Sequence, residues 1–427
     1  MKRWSVFLAA VLLAAAFAAA QSRGTVQAPS FEVDPLWPKP LPNHWLLGSV
    51  TGVAVDAQDN IWILHQGGPT LNARTEMGAA TTPPTAETCC IPAPPVLKFD
   101  AAGNLLASWG GAGAGYSWPR SPQGITIDSK NNVWIGGVAA GTIEGPAGPA
   151  PEGDQPTRGA AGAAPAARGA AAARGRGAAQ PTPRDAQVLK FSSDGKFLLQ
   201  IGMPGRVEGS ESRTTLNMPA NLEVDAAANE VYIADGGVSR SANAAPVYGN
   251  HRVVVLDASS GAYKRHWGAY GNKPDDASLG VYDAAAPPAK QFRGVSCVHI
   301  AKDGMVYVCD RENNRIQVFQ KDGKFVKEGV VSKTTLGEGA VWDLSFSKDA
   351  QQRFLYAADG HDKKVFVLLR DTLEVLTSFG SGGRYPGQFV SVAGVAVDSK
   401  GNVYTADASE GKRVQKFEYK GLKGVTR

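Results

Sequence analysis

Apolar and polar positions alternate with period two in short runs along most of the chain, and turns rich in Asp, Asn and Gly separate the runs. One unit recurs: an apolar strand, an acidic turn, an aromatic-bearing strand, a connection of variable length, then two further strands. The first pair reads TGVAVDAQDNIWIL from Thr51, QGITIDSKNNVWIG from Gln123 and ANLEVDAAANEVYIAD from Ala220. It returns as SCVHIAKDGMVYVCD from Ser296, WDLSFSKDAQQRFLYAAD from Trp342 and AGVAVDSKGNVYTAD from Ala393. The second pair reads PPVLKFDAAGNLLASWG, AQVLKFSSDGKFLLQIG, RVVVLDASSGAYKRHWG, RIQVFQKDGKFVKEGV and KVFVLLRDTLEVLTSFG. A lone four-stranded unit cannot cover both of its faces, so six copies predict a ring. The expected fold is an all-β, six-bladed β-propeller, with four antiparallel strands per blade, over residues 30–427.

The sixth copy, RVQKFEYKGLKG from Arg413, is short of its outer strand. The alternating segment SFEVDPLWP, Ser30 to Pro38, is expected to supply it and close the ring. The turns AQDN, SKNN, KDG, SSDG and ASSG are all short, whereas 66–95, 137–185 and 236–250 are long. Each long stretch joins a second strand to a third, which places all of them on the face that carries the blade-to-blade links. Long loops on a rigid scaffold are where function concentrates, so that face is the expected working surface.

Composition narrows the class. Gly 50 and Pro 27 make 77 of 427 residues, 18 %, above the usual share of about 12 % and unfavourable for a helical bundle. The formal charge is only +5. Residues 1–20 read as a cleavable signal peptide: Lys2 and Arg3 precede an uncharged apolar run that ends in the small pair Ala18 and Ala20. The expected location is therefore secreted or periplasmic, with no membrane span, and the mature charge is 5 − 2 = +3. Within the second insertion, about 138–187, Arg158, Arg168, Arg174, Arg176 and Arg184 stand among Ala, Gly and Pro. That stretch is expected to be disordered from Glu144 to Arg184 and dispensable for folding. The remainder carries 3 − 5 = −2, which does not describe a nucleic-acid-binding protein.

These repeats resemble the NHL-repeat family over nearly the whole chain. YGNHRVVVLD from Tyr248, CDRENNRIQVF from Cys309 and CCIPAPPVLKFD from Cys89 look like a bacterial NHL branch similar to peptidyl-α-hydroxyglycine α-amidating lyase. Such lyases split hydroxyglycine-extended peptides into amide and glyoxylate, using a zinc held by three histidines of alternate blades, a tyrosine base and two arginines. By that resemblance Arg311 matches one arginine, and Tyr248 matches the tyrosine if Gly237 to Val247 is an insertion. The other arginine's place, after His65, is taken by Gln66. The three zinc positions hold Gln123, Ser296 and Ala393.

A neutral Gln, a Ser and an Ala are not zinc ligands, so no cofactor is predicted. Calcium remains a possibility for a lactonase-like chemistry, although Gln123 is the sole oxygen donor of that kind among the strand-one openers Thr51, Gln123, Ala220, Ser296, Trp342 and Ala393. Arg311 reads either as a carboxylate clamp or as a blade-to-blade tie. His65, Gln66, Gln123 and Ser296 are candidate ligand-binding positions around the axis. Cys297 and Cys309 fall nearly opposite across a turn, as a disulfide or as two buried thiols; Cys89 and Cys90 have no partner legible in the sequence. Two classes of function follow: a monomeric binding module for a peptide, glycan or protein, or an enzyme of the lyase or lactonase kind. The missing histidines favour binding.

Overall fold

The computed structural model describes residues 25–143, 183–241 and 244–426. The expected signal peptide and most of the arginine-bearing insertion lie outside the described residues. Six four-stranded antiparallel sheets form the blades of a six-bladed β-propeller. Blade one comprises Val50–Val55, Ile61–His65, Val96–Phe99 and Leu105–Trp109. Blade four comprises Val295–Ile300, Val306–Asp310, Arg315–Phe319 and Phe325–Val330. The inner strands of the others are Pro122–Ile127, Pro219–Asp225, Asp343–Phe346 and Val392–Val397. Blade six borrows its outer strand: Thr25–Asp34 pairs antiparallel with the long third strand Arg413–Thr426. The closing strand starts earlier than its sequence pattern suggested.

Burial explains why the ring needs every blade. Each hydrophobic cluster lies between two neighbouring blades rather than inside one. Trp62, Val96, Ile125, Val133 and Phe191 join blades one and two. Trp37, Val50, Phe99, Tyr404 and Val414 join blades six and one, across the point of closure. Short polar turns fix the strands on the far face. Asp56 accepts hydrogen bonds from the Gln58 and Asn60 amides, both at 2.9 Å, and from the Trp62 indole at 2.9 Å. Asp128 repeats this with Trp134, and Asp398 with Tyr404. The same acid thus caps the turn and satisfies the polar edge of a core aromatic.

Both cysteine pairs are disulfides: Cys297–Cys309 bridges register partners on the first two strands of blade four, and Cys89–Cys90 links adjacent residues in the first insertion. The second insertion is anchored at its described ends. Thr142 bridges Pro183, the Arg184 amide donates to Thr142 at 2.9 Å, and buried Asp185 accepts the amides of Arg120, Ser121 and Ala139. Arg184 therefore belongs to the ordered rim of the propeller, not to the expected disordered stretch. The third insertion folds into a hairpin, Val238–Ser241 with Ala244–Tyr248.

Candidate functional site

The inner strands surround an axis, and their side chains meet there at two levels. The upper level is formed by the residues that open each inner strand. Thr51, Gln123, Ala220, Ser296, Trp342 and Ala393 line one cavity of about 10 Å³, room for a single water. In four of the blades the opener is itself the bulged residue, and in blade two the bulge falls on the next residue, Gly124. Two hydroxyls are spent on holding adjacent blades together: Thr51 Oγ1 donates to the Pro122 carbonyl at 2.7 Å and Ser296 Oγ to the Val341 carbonyl at 2.9 Å. Gln123, Ser296 and Ala393 converge as an alternate-blade triad would, but with one amide, one committed hydroxyl and one methyl. That donor set does not fit zinc.

The lower level opens into a chamber of about 230 Å³ lined by Asn221, Glu223, His299, Asp343, Lys348 and Gln352 among others. His299 sits between two carboxylates from the flanking blades. Its Nδ1 lies 3.2 Å from Glu223 and its Nε2 2.9 Å from Asp343. Burial works against a charge on this ring, but the hydrogen bonds to Asp343 and Glu223 outweigh it and push its pKa up to about 10. His299 is thus an imidazolium at neutral pH, not a base.

The residues matched by resemblance lie on the loop-rich face and are committed to structural work. Arg311 is buried. Its Nε donates to the Glu338 carbonyl at 2.8 Å, its Nη2 to the Glu338 carboxylate at 2.7 Å, and its guanidinium stacks 3.4 Å from the Trp342 ring. It ties blade four to the link leading into blade five. Burial lowers its pKa to about 10, against the charges of Glu338 and Glu312. Tyr248 donates its hydroxyl to Glu312, which also takes Arg240. Burial, then the Glu312 hydrogen bond and charge, push the phenol up to about 12, the wrong direction for a base.

His65 is fully buried. Its Nδ1 accepts the amides of Gly48 and Gly67 at 3.1 and 3.0 Å, and its Nε2–H donates to the Pro94 carbonyl at 2.9 Å. It ends the second strand of blade one, where Asp235, Asp310 and Asp407 end theirs. Those acids accept link amides in the same way, Asp235 from Asn217 and Asp310 from Arg293, both at 2.7 Å. They also hold Arg252, Arg315 and Arg413 of the third strands. His65 is the blade-one substitute for that acid, and burial holds its pKa near 4. Gln66 donates to Ser121 Oγ at 2.7 Å, tying blade one to blade two.

Of the candidate residues, the structure therefore brings Gln123 and Ser296 together at the axis, sets Tyr248 beside the turn that carries Arg311, and leaves the adjacent His65 and Gln66 at the end of the second strand of blade one. The Glu223–His299–Asp343 array escaped the sequence reading. Part of its signal is the residue three places after each strand opener, which reads Ala54, Thr126, Glu223, His299, Ser345 and Ala396 around the ring, while Asp343 directly follows its opener Trp342.

Residues 292–319 and 389–417, the first three strands of blade four and of blade six, match the NHL repeat. Across 403 residues the chain is 23 % identical to the Mus musculus protein named NHL repeat-containing protein 3, covering 91 % of this chain and 84 % of that one. Among solved structures, a streptogramin B lyase is 8 % identical, with a TM-score of 0.43 over 92 % of this chain and 98 % of that one. A catalytically inactive virginiamycin B lyase from Staphylococcus aureus with quinupristin is 11 % identical, with a TM-score of 0.44 over 91 % and 99 %. The protein is a six-bladed β-propeller. Blades four and six match the NHL repeat.

Proposed function

We propose that this NHL-repeat propeller is an exported, monomeric binding module that presents its loop-rich face to a peptide, glycan or protein, without metal-dependent catalysis at the upper axis. The observation that carries the reading is the fate of the resembling residues: Arg311 is closed by Glu338 and Trp342, and Tyr248 by Glu312. Neither is left to clamp or deprotonate a substrate. The loop-rich face also exposes large apolar side chains, among them Ile91, Met203, Val281, Leu336 and Tyr385, which suits a contact surface more than a sealed pocket. The test is binding of immobilised peptide and glycan libraries to the purified chain, repeated with Val281→Asp and Leu336→Asp. Loss of captured ligands in the variants supports the face. Capture that ignores both substitutions contradicts it.

One observation favours the enzyme reading. Glu223, Asp343 and Asn221 place three oxygen-bearing side chains around the lower chamber, more than the strand openers alone offered for a calcium-dependent lactonase. Calcium-dependent lactone hydrolysis abolished by Asp343→Asn would replace binding with that chemistry.

A further inference from the structure

Two residues that line the lower chamber, His299 and Asp343, belong to a donor set that a neighbouring disulfide keeps incomplete. Donor atoms of Cys297, His299 and Asp343 all lie within 4.8 Å of one another. Cys297 and His299 are two apart on the inner strand of blade four, so the alternation of a strand puts them on one face. Asp343 comes from the neighbouring inner strand. Its Oδ2 accepts the Val395 amide at 3.0 Å, which turns Oδ1 toward His299 Nε2. On the far side of the ring, Glu223 holds Nδ1. A histidine whose second nitrogen donates to a carboxylate is the ordinary outer arrangement of a metal-bound imidazole. The third donor is withheld, because Cys297 is bonded to Cys309.

We propose that reduction of Cys297–Cys309 unmasks a thiolate–imidazole–carboxylate site for a single divalent ion of the zinc or cobalt type. A dithiol reduces the disulfide with two electrons and two protons and becomes a cyclic disulfide itself. The ion then displaces one proton from Cys297 and one from His299 Nε2, while Nδ1–H stays on Glu223 and Cys309 stays a thiol. Cys297 Sγ, His299 Nε2 and Asp343 Oδ1 become the three protein ligands and water takes the fourth position, a common open zinc geometry. Bonds of about 2.0–2.3 Å in a tetrahedron need donors roughly 3.3–3.8 Å apart, which small side-chain rotations supply from the present separations. With the disulfide intact only His299 and Asp343 remain, and they are hydrogen-bonded to each other. This site is one level below the upper axial positions and uses none of them.

Cobalt(II) is the probe, because thiolate ligation gives a charge-transfer absorption that carboxylate and imidazole ligation lacks. Titrations use protein carrying Cys89→Ser and Cys90→Ser, so the thiols of that loop contribute nothing. The oxidised protein is expected to show no thiolate band. After reduction by a dithiol, opening in mild denaturant and anaerobic desalting, one equivalent of cobalt is expected with that band, and zinc should displace it. Cys309→Ser should show the band without reductant. Asp343→Asn or His299→Gln should remove it, and Glu223→Gln should weaken binding by about 10–100-fold, as loss of an outer partner does. The proposal is overturned if reduced protein with native circular dichroism shows no thiolate band. It is equally overturned if the band survives His299→Gln, since the thiolate would then be binding metal elsewhere.

Discussion

The Tyr248 hydroxyl donates to the carboxylate of Glu312, 64 positions away and on the neighbouring blade. The bond fastens the hairpin of the third insertion to the 3₁₀ turn Arg311–Asn313 that follows the second strand of blade four. It also fixes what Tyr248 is. A phenol that is buried and bonded to a carboxylate keeps its proton until about pH 12. Tyr248→Phe should therefore cost about 1–2 kcal/mol in urea unfolding, since a buried acceptor loses one donor. Near-ultraviolet titration should show one tyrosine fewer among those that ionise above pH 11. An unchanged stability would mean that this contact does not form in solution.

Closure of the ring has a similar test. Phe31 of the borrowed strand packs against Tyr356 at 5.4 Å and Phe379 at 4.8 Å between ring centroids. Among the described residues its strand makes the longest pairing, with Arg413–Thr426. Phe31→Ala should cost about 2 kcal/mol, because the side chain is only half-buried. Removal of residues 21–38 should lower the melting temperature far more. A truncated protein that melts with the full chain would show that blade six does not need its N-terminal strand.

His65 makes a prediction about pH. Its folded pKa, near 4, lies below the ordinary histidine value of about 6.5, so the unfolded chain binds a proton that the native state refuses. Its contribution to stability is complete above about pH 6.5 and is lost as pH falls from there toward 4. The size is a few kcal/mol at most. His65→Asn keeps an acceptor near the Gly48 and Gly67 amides and cannot titrate. It should lower stability at pH 7 and flatten the decline between pH 6.5 and 4 in denaturant unfolding. An acid limb as steep in the variant as in the parent would assign that decline to other groups.

The fold was legible because the repeat is written in local chemistry: alternation, Asx turns and a core aromatic opposite each acid, as in Asp56 with Trp62. Ring closure was legible for the same reason, since an unmatched third strand needs an outer partner. The upper axial positions were legible too, because strand openers can be aligned by counting from the turn. The lower chamber was not. A polar residue three places after a strand opener, such as Glu223 or His299, looks the same in sequence whether it faces solvent or an axis. The commitments of Tyr248 and Arg311 were equally hidden, because Glu312 and Glu338 approach them only once neighbouring blades are docked. His65 misled for a subtler reason: it stands where the repeat elsewhere has Asp.

The cross-strand disulfide of blade four closes a short loop, 12 residues in sequence separation. By loop-closure entropy its loss should cost about 3 kcal/mol. Cys297→Ala with Cys309→Ala should reach that value in urea unfolding, if the two methyls fill the buried site without strain. A loss below about 1 kcal/mol would mean that the unfolded chain is not constrained by this link.

Convergence of the upper axial residues can be tested by restoring what the related lyases use. Gln123→His, Ser296→His and Ala393→His together should create a site for one zinc ion, since all three positions line the same cavity. Metal content by mass spectrometry after dialysis reads the result. A triple variant that stays free of zinc would show that the three positions do not point to one spot.

The most direct test of the account is glyoxylate release from an α-hydroxyglycine-extended peptide by the purified, unreduced natural chain with zinc supplied. Gln123, Ser296 and Ala393 at the axis, with Tyr248 and Arg311 already committed, predict no release above the uncatalysed background. Turnover that depends on zinc and disappears in Tyr248→Phe would contradict the binding-module reading and make this propeller a lyase with a metal centre of different composition.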